Sequence, residues 1–136
     1  MLKDMSSLIA KVIDIQNNDT LHIVKFEAYG VELSMMSLEL DPSLNIGANV
    51  RLMIKPTHIS LAKNFSGHLS DSNQLEAIVT SVEQGKLLSN VKMQFFDTTL
   101  ESIITSEMLK KLELTPGDKV SLFINASELS ISEIIR

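Results

Sequence analysis

Cysteine is absent from the 136 residues of this chain. Its absence excludes disulfide bonds and thiolate metal sites as sources of stability. No stretch approaches the roughly 20 apolar residues that cross a bilayer, and the segment from Met1 to Ser6 lacks the apolar core of a secretory signal. The sequence therefore predicts a soluble, cytoplasmic protein that makes no contact with a membrane.

Positive charge and aromatic rings are also scarce. The 12 Lys and Arg residues are outnumbered by 17 acids, for a net charge of −5, and the aromatic residues are five Phe and one Tyr. Proteins that bind single-stranded nucleic acid stack the bases on aromatic side chains along a basic groove. Nucleic acid is therefore excluded as a partner, whereas a small anion held by local donors is compatible with this composition.

What the sequence does contain is an internal repeat. Residues 8–61 and 75–131 carry the same apolar and turn signals in the same order, at an initial offset of 75 − 8 = 67. The offset becomes 114 − 44 = 70 where Leu44 aligns with Leu114. A three-residue insertion in the second copy therefore lies between Leu100 and Leu114, and a loop is where such an insertion is tolerated.

Alternating and β-branched runs predict five strands in each copy. They lie at 8–16, 21–28, 31–36, 49–55 and 59–62, and again at 75–83, 89–96, 100–104, 119–124 and 128–132. Residues 105–117 instead predict a short helix, capped by Thr105 or Ser106 and stopped by a Pro-Gly pair. Their counterpart, residues 37–44, contains Pro42 and predicts a turn or a single 3₁₀ loop.

Five strands with a helix between the third and fourth is the element order of an OB-type Greek-key barrel, although several small β folds share that count. We therefore predict an all-β chain of two tandem OB-like five-stranded barrels, with domains at 1–64 and 65–136. The linker at about 63–72 is polar apart from two candidate apolar pegs, Phe65 and Leu69. Units of about 60 residues are marginal alone, so a homo-oligomer is predicted.

Four features of the second copy identify a family. They are Ser70–Leu75, the helix at 105–112, Leu114-x-Pro116-Gly117-Asp118-x-Val120 and Ile124–Ser127. Together they resemble the Mop family of molybdate- and tungstate-binding domains, which are related to the TOBE domains behind some transporter ATPases. The first copy resembles the family more loosely, and two copies without another domain resemble the di-Mop arrangement. The resemblance implies OB-like barrels that associate, most plausibly as a trimer, and bind the oxyanion at interfaces between domains or subunits.

The family's donors come from a Ser-x-Arg-Asn segment early in a copy and a Lys-Ala-Ser/Thr segment near its end. Carried over by position, the resemblance implies six oxyanion-binding residues in the second copy: Ser70, Ser72, Asn73, Asn125, Ala126 and Ser127. Ser72 stands where the family has Arg, and Asn125 stands where it has Lys. Each copy therefore retains only part of the family pattern.

The first copy keeps the cation that the second copy lacks. Lys55, followed by Pro56 and Thr57, aligns with Asn125 because 55 + 70 = 125, whereas Ser6 falls opposite Asn73 because 6 + 67 = 73. We therefore hypothesise that Lys55 serves a site whose hydroxyl and amide donors come from Ser70, Asn73 and Ser127 of the other copy.

Simpler interpretations of these residues stay open. Ser70 and Asn73 also fit ordinary turn residues, Lys55 fits a solvated lysine, and Thr57 and Ser127 fit hydroxyls bonded to nearby backbone. The three His residues, His22, His58 and His68, lack the spacing of metal ligands.

No nucleophile-elbow or triad pattern is present, so we predict no enzyme, no side-chain metal site and no organic cofactor. The sequence favours a cytoplasmic molybdate- or tungstate-binding protein for storage or homeostasis. The alternative is a ligand-sensing or assembly module of a molybdate-responsive regulator or transporter, which acts through a protein partner and binds the oxyanion weakly or not at all.

Overall fold

The computed structural model describes residues 6–136, in which ten strands form two five-stranded sheets. Strands β1 to β5 span Ser6–Asn18, Leu21–Ala28, Val31–Ser37, Asn49–Ile54 and Ser60–Ala62. Strands β6 to β10 span Asn73–Gln84, Leu88–Phe95, Thr98–Thr105, Lys119–Ile124 and Ser130–Ile135. Helix α1 is Ser106–Leu112, and two 3₁₀ turns lie at Pro56–His58 and Ala126–Glu128. The prediction of two tandem all-β units is confirmed.

The two sheets exchange their last strands. The first sheet has the order β10-β4-β1-β2-β3 and the second has the order β5-β9-β6-β7-β8. Ser130 therefore lies opposite Met53 of the first copy, and Ser60 lies opposite Phe123 of the second. Each unit in space thus contains one strand from the other half of the chain, and the division into domains at 1–64 and 65–136 stays a prediction about the linear sequence.

The core follows directly from the alternation that the sequence shows. Inward-facing residues of corresponding strands occupy the same places in both units, as Val12 and Val79 do, and Leu33 and Leu100, all at most 1% exposed. Because side chains alternate across a strand, each sheet buries one apolar face of its curled surface. The repeat in the sequence is therefore a repeat of the core.

A bulge at the same place in β1 and β6 bends both sheets. The register shifts between Val12 and Asp14, and between Val79 and Ser81. The backbone N–H of Gly47 donates to the carbonyl of Val12 (2.8 Å), and that of Gly117 donates to Val79 (2.7 Å). Both glycines have positive φ, 95° and 96°, which a residue with a Cβ rarely adopts. The turn before the fourth strand of each copy is thereby tied to the bulge.

Helix α1 begins with Thr105 as its N-cap, because the Thr105 hydroxyl accepts from the Met108 backbone N–H at 3.3 Å. Ser106, the other candidate cap, is buried instead, and its hydroxyl bonds Ser89 at 2.7 Å and the Gly85 carbonyl at 2.8 Å. The counterpart of this helix in the first copy forms turns, as its Pro42 predicts. The insertion in the second copy therefore supplies the helical turn.

In the turn of the first copy, the Asp41 carboxylate accepts from both the hydroxyl and the backbone N–H of Ser43, at 2.7 and 2.8 Å. These two bonds, the hydroxyl first, lower the pKa of Asp41.

The strand boundaries differ from the predicted ones chiefly at the last strand of each copy. Ile59 and Glu128, both expected in strands, lie at the edge of the first 3₁₀ turn and within the second. Proline at the start of the first turn and Asn125 before the second favour a tight turn over an extended start. The sheets begin again only at Ser60 and Ser130.

The linker is held at its start by one aromatic peg and one lysine. The ring of Phe65 packs edge-on against Phe123 with centroids 4.8 Å apart, whereas Leu69 is 53% exposed and is not a peg. Lys63 Nζ donates to the Glu113 carbonyl (2.9 Å) and lies 3.2 Å from an Asp118 carboxylate oxygen. The linker therefore runs along the second unit before β6 begins.

Asp118 closes the turn that follows α1. Its carboxylate accepts from the Thr115 backbone N–H at 2.9 Å. This bond first, and then Lys63, lower the pKa of Asp118. Among residues 6–136, no helix has the length and apolar character needed to span a bilayer.

Candidate functional site

Asn73 begins strand β6 and connects the two units through its side chain. It is fully buried, and its Oδ1 accepts from the Ser34 backbone N–H at 2.6 Å while its Nδ2 donates to the Ser34 carbonyl at 2.9 Å. The side-chain amide therefore pairs with the backbone of Ser34 at the edge of β3 in the way that a residue of a neighbouring strand would. Both polar atoms of Asn73, which the resemblance implies as an oxyanion donor, are engaged by backbone.

Ser6 makes the reciprocal contact at the equivalent place in the first copy. Its hydroxyl accepts from the Glu101 backbone N–H at 2.8 Å and donates to the Glu101 carbonyl at 3.2 Å. Because 6 + 67 = 73 and 34 + 67 = 101, the two contacts are the same contact made twice. Reciprocal contacts of this kind define a two-fold relation between the units.

Aromatic residues at two hairpin turns meet across the same relation. Tyr29 in the turn between β2 and β3 stacks on Phe96 in the turn between β7 and β8, with centroids 4.7 Å apart and an interplanar angle of 6°. These positions are equivalent, since 29 + 67 = 96. The Tyr29 hydroxyl donates to Asp97, and this hydrogen bond is the main cause of a raised pKa for Tyr29.

The late segments of both copies form the two 3₁₀ turns. Pro56 and Ala126 point inward and are buried, whereas Lys55, Thr57, Asn125 and Ser127 are exposed. Asn125 Oδ1 accepts from the backbone N–H and from the hydroxyl of Ser127, both at 3.3 Å. Ser127 therefore bonds its own turn, as the simpler interpretation of this residue predicts, and its single hydroxyl hydrogen is donated to Asn125.

Strand pairing gathers these segments into two clusters. Asn73 lies opposite Ile124, which places the exposed Ser70 and Ser72 at the same end of the sheet as Asn125 and Ser127. We call this set the serine cluster: Ser70, Ser72, Asn73, Asn125, Ala126 and Ser127.

Ser6 lies opposite Ile54 in the same way, which places Lys55 beside Ser6 at the equivalent end of the first sheet. We call Ser6, Lys55, Pro56 and Thr57 the lysine cluster. Within one chain, Lys55 therefore belongs to a different cluster from Ser70, Asn73 and Ser127, the residues with which the sequence hypothesis combined it.

The two clusters are joined through their 3₁₀ turns. His58 Nδ1 lies 2.8 Å from Glu128 Oε2, and both side chains are partly exposed, at 35% and 39%. Neither residue was selected from the sequence. The signal that identifies them is the repeat itself, because 58 + 70 = 128 makes them equivalent positions directly after the two late segments.

A groove of about 500 Å³ begins at Ser127 and runs between β3 and β10. Its apolar lining residues include Met35, Leu129 and Ile131, and its charged ones are Glu39, Asp41, Glu133 and Arg136. The groove marks the seam where the first sheet does not close on itself, since β3 and β10 are the two edges of that sheet. The serine cluster therefore sits at one end of an open seam.

The chemistry of the two clusters suits an anion better than a metal. Hydroxyls, an amide and an ammonium group are exposed there, and these are hydrogen-bond donors. Within residues 6–136, no three His, Asp or Glu side chains group closely enough to hold a metal ion. An oxyanion needs several such donors arranged around it, and each cluster supplies a part of that set.

One known structure matches the chain over both units. The chain is similar to ModG, described as a cytoplasmic molybdate-binding protein and crystallised with molybdate bound, with a TM-score of 0.86 and 26% identity over 92% of this chain and 93% of that one. Residues 69–131 match the TOBE domain. The chain belongs to the Mop/TOBE family.

Within the Mop/TOBE family the chain is of the tandem, di-Mop type, since the match to ModG extends over both units. A molybdate-binding protein from Sporomusa ovata is 31% identical over its whole length and covers 52% of this chain, with a TM-score of 0.46. A comparison with curated protein sequences gives no match. Both matched structures are described as molybdate-binding proteins.

Proposed function

We propose that this chain is a cytoplasmic protein that binds molybdate or tungstate reversibly and so serves storage or homeostasis of the oxyanion. The similarity to ModG over 92% of the chain, with molybdate bound in that structure, carries the proposal. Molybdate is the ligand in this proposal, no organic cofactor is required, and no bond is made or broken.

The donors are proposed from what each cluster leaves exposed. Ser70, Ser72 and Asn125 offer hydroxyl and amide groups, and Lys55 with Thr57 offers an ammonium group and a further hydroxyl. Ser127 is proposed to turn its hydroxyl from Asn125, which it reaches at 3.3 Å, to the anion. Asn73, Pro56 and Ala126 are buried and position the segments that carry these donors. Asn73 is thus proposed as a positioning residue whose side chain fixes the start of β6.

Completion of a site is proposed to require more than one chain. Lys55 and the serine cluster lie at equivalent ends of the two units, so a neighbouring copy can bring its lysine cluster to the serine cluster of the first. A ring of three chains would repeat this contact around a closed assembly. The proposed oligomer is therefore a homotrimer with sites at domain and subunit interfaces.

The test is isothermal titration of the purified protein with molybdate and tungstate, with sulfate as the control and the oligomer mass measured on the same sample. Binding of molybdate that excess sulfate does not displace is expected. Lys55→Ala should weaken binding about tenfold, because a charged donor is lost, whereas Lys92→Ala, an exposed lysine on β7, should leave it unchanged. A folded protein that gives no heat with either oxyanion would contradict the proposal.

A second candidate is the ligand-sensing or assembly module of a transporter or regulator. It is favoured by the absence of a cation at Ser72 and Asn125 and by the exposed side chains of Leu87 and Leu88, at 77% and 59%. Exposed apolar groups of this size are typical of partner surfaces. A monomer that binds neither oxyanion would support this candidate and replace the first.

A further inference from the structure

The ion pair between the two 3₁₀ turns joins equivalent positions of the repeat. His58 and Glu128 are related by the offset of 70 that also relates Lys55 to Asn125, and their side chains meet at 2.8 Å. If the two copies were identical in sequence, positions 58 and 128 would carry the same side chain, and the two identical side chains would face each other across the two-fold relation. Two glutamates there would repel, whereas a histidine and a glutamate form a charge-assisted hydrogen bond.

Glu128 directly follows Ser127, the last residue of the serine cluster. A carboxylate beside a site for a dianion repels the ligand, and the serine cluster contains no Lys or Arg of its own to offset that charge. His58 donates its Nδ1–H to this carboxylate, and when the ring is protonated it also supplies a positive charge. The contact therefore holds the Glu128 carboxylate against the first turn, and a protonated ring also offsets its charge beside the serine cluster.

The acids on the strands that pack against the two 3₁₀ turns have their own partners. Strand β3, against the second turn, carries Glu32, which lies 3.2 Å from Lys25 Nζ. Strand β8, which packs against the first 3₁₀ turn, carries Glu101, whose carboxylate accepts from Asn90 Nδ2 and whose backbone is held by Ser6. Lys55 precedes the first turn and is exposed. Glu128 is therefore the carboxylate that His58 compensates.

We propose that His58 and Glu128 form a charge-compensating pair that sets the oxyanion affinity of the serine cluster. This proposal rests on the proposed function and names two positioning residues for it, neither of which contacts the ligand. Glu128 weakens binding when it is unpaired, and His58 relieves that effect by holding the carboxylate against the first turn.

The proposal predicts opposite effects for the two partners. His58→Gln keeps a hydrogen-bond donor but removes the positive charge that the protonated ring carries. It should weaken molybdate binding about threefold to tenfold, which is the size of a screened interaction between one charge and a dianion. Glu128→Gln keeps an acceptor for His58 but removes the negative charge, and should strengthen binding by a similar factor. Replacing His58 should have a smaller effect in the Glu128→Gln background than in the wild type, because no carboxylate is then left for His58 to hold against the first turn.

The experiment is titration of these three variants with molybdate, alongside Glu83→Gln as a control. Glu83 is exposed near the far end of β6 from Asn73, so its replacement changes the net charge by the same amount without touching the pair. Equal weakening in both single variants would show a mechanical tether and overturn the proposal. An increase in affinity for Glu83→Gln as large as for Glu128→Gln would overturn it as well.

Two further readouts separate the possible failures. The urea midpoint of each variant should stay close to that of the wild type, since partly exposed ion pairs contribute little to stability. A loss of stability with unaltered affinity would assign the pair a structural role only. Wild-type protein that binds no oxyanion would remove the proposed function itself, whereas a wild type that binds and variants that all match it would remove only this inference.

Discussion

Replacing Asn73 tests whether its side chain joins the two units or binds the ligand. Asn73→Ala removes the partners of both the N–H and the carbonyl of Ser34, at a place where Asn73 is fully buried and Ser34 is half-buried, so water can replace them only in part. A buried polar group left without a partner costs about 1–3 kcal/mol. Two such groups should therefore lower the free energy of unfolding by about 2–6 kcal/mol, toward the lower end because Ser34 is half-buried. That is a large part of the roughly 5–15 kcal/mol of a typical domain.

The assay is equilibrium urea unfolding followed by far-UV circular dichroism, since the chain has no Trp, at one fixed protein concentration because association also stabilises. Gln74→Ala, at the exposed neighbouring residue, is the matched control and should stay within about 0.5 kcal/mol of wild type. A change of less than about 0.5 kcal/mol in Asn73→Ala, or lost molybdate binding at unchanged stability, would refute the reasoning.

Three further predictions follow from local contacts. Tyr29 is the only Tyr in the chain, so its near-UV absorbance titration should give a midpoint above that of free tyrosine, and Asp97→Asn should lower it, since the Asp97 hydrogen bond is the main cause of the raised pKa. Phe65→Ala should cost about 1–3 kcal/mol in urea unfolding and Leu69→Ala less than about 0.5, because only the former is packed. The pKa of Asp118 is lowered in the folded state, so its contribution to stability is present at neutral pH and is lost as the pH falls through that lowered value. The difference in unfolding free energy between wild type and Asp118→Asn should therefore shrink on acidification. A difference that stays constant with pH would contradict this.

Much of the fold was predictable because local signals and the repeat agree. The alternation in β1 and β6, the stop at Pro116-Gly117 and the cap at Thr105 or Ser106 were read from local pattern. The structure contains the strands and the turn at Gly117, and it has Thr105 as the cap. The two copies support each other, because an apolar residue that occurs at equivalent positions of both copies predicts a core position more strongly than one that occurs in a single copy.

The exchange of the last strands was not predictable from local pattern. Ile59-Ser60-Leu61 and Leu129-Ser130-Ile131 have the same alternation of apolar and polar residues, so either segment suits either sheet. Which sheet each segment joins depends on how the chain leaves the preceding 3₁₀ turn, and sequence periodicity carries no information about that direction.

The candidate site was predictable only in its outline. The resemblance located the early and late segments, and strand pairing brings Asn73 and Asn125 together. The engagement of Asn73 with Ser34 depends on a contact between residues 39 positions apart, and the pairing of His58 with Glu128 depends on a two-fold relation. Both contacts follow from tertiary arrangement, which residue type and spacing do not report.

Because β10 lies at the edge of the first sheet, that sheet can be completed only near the end of translation of the chain. Strand β4 is complete at Ile54, but its neighbour begins at Ser130, which is made 130 − 54 = 76 residues later. Because the chain emerges from the ribosome from its N-terminus, the edge of β4 stays unpaired until almost all of the second unit exists, and an unpaired edge is a site for wrong pairing. We therefore expect the first sheet to be completed only after Ser130–Ile135 has been made.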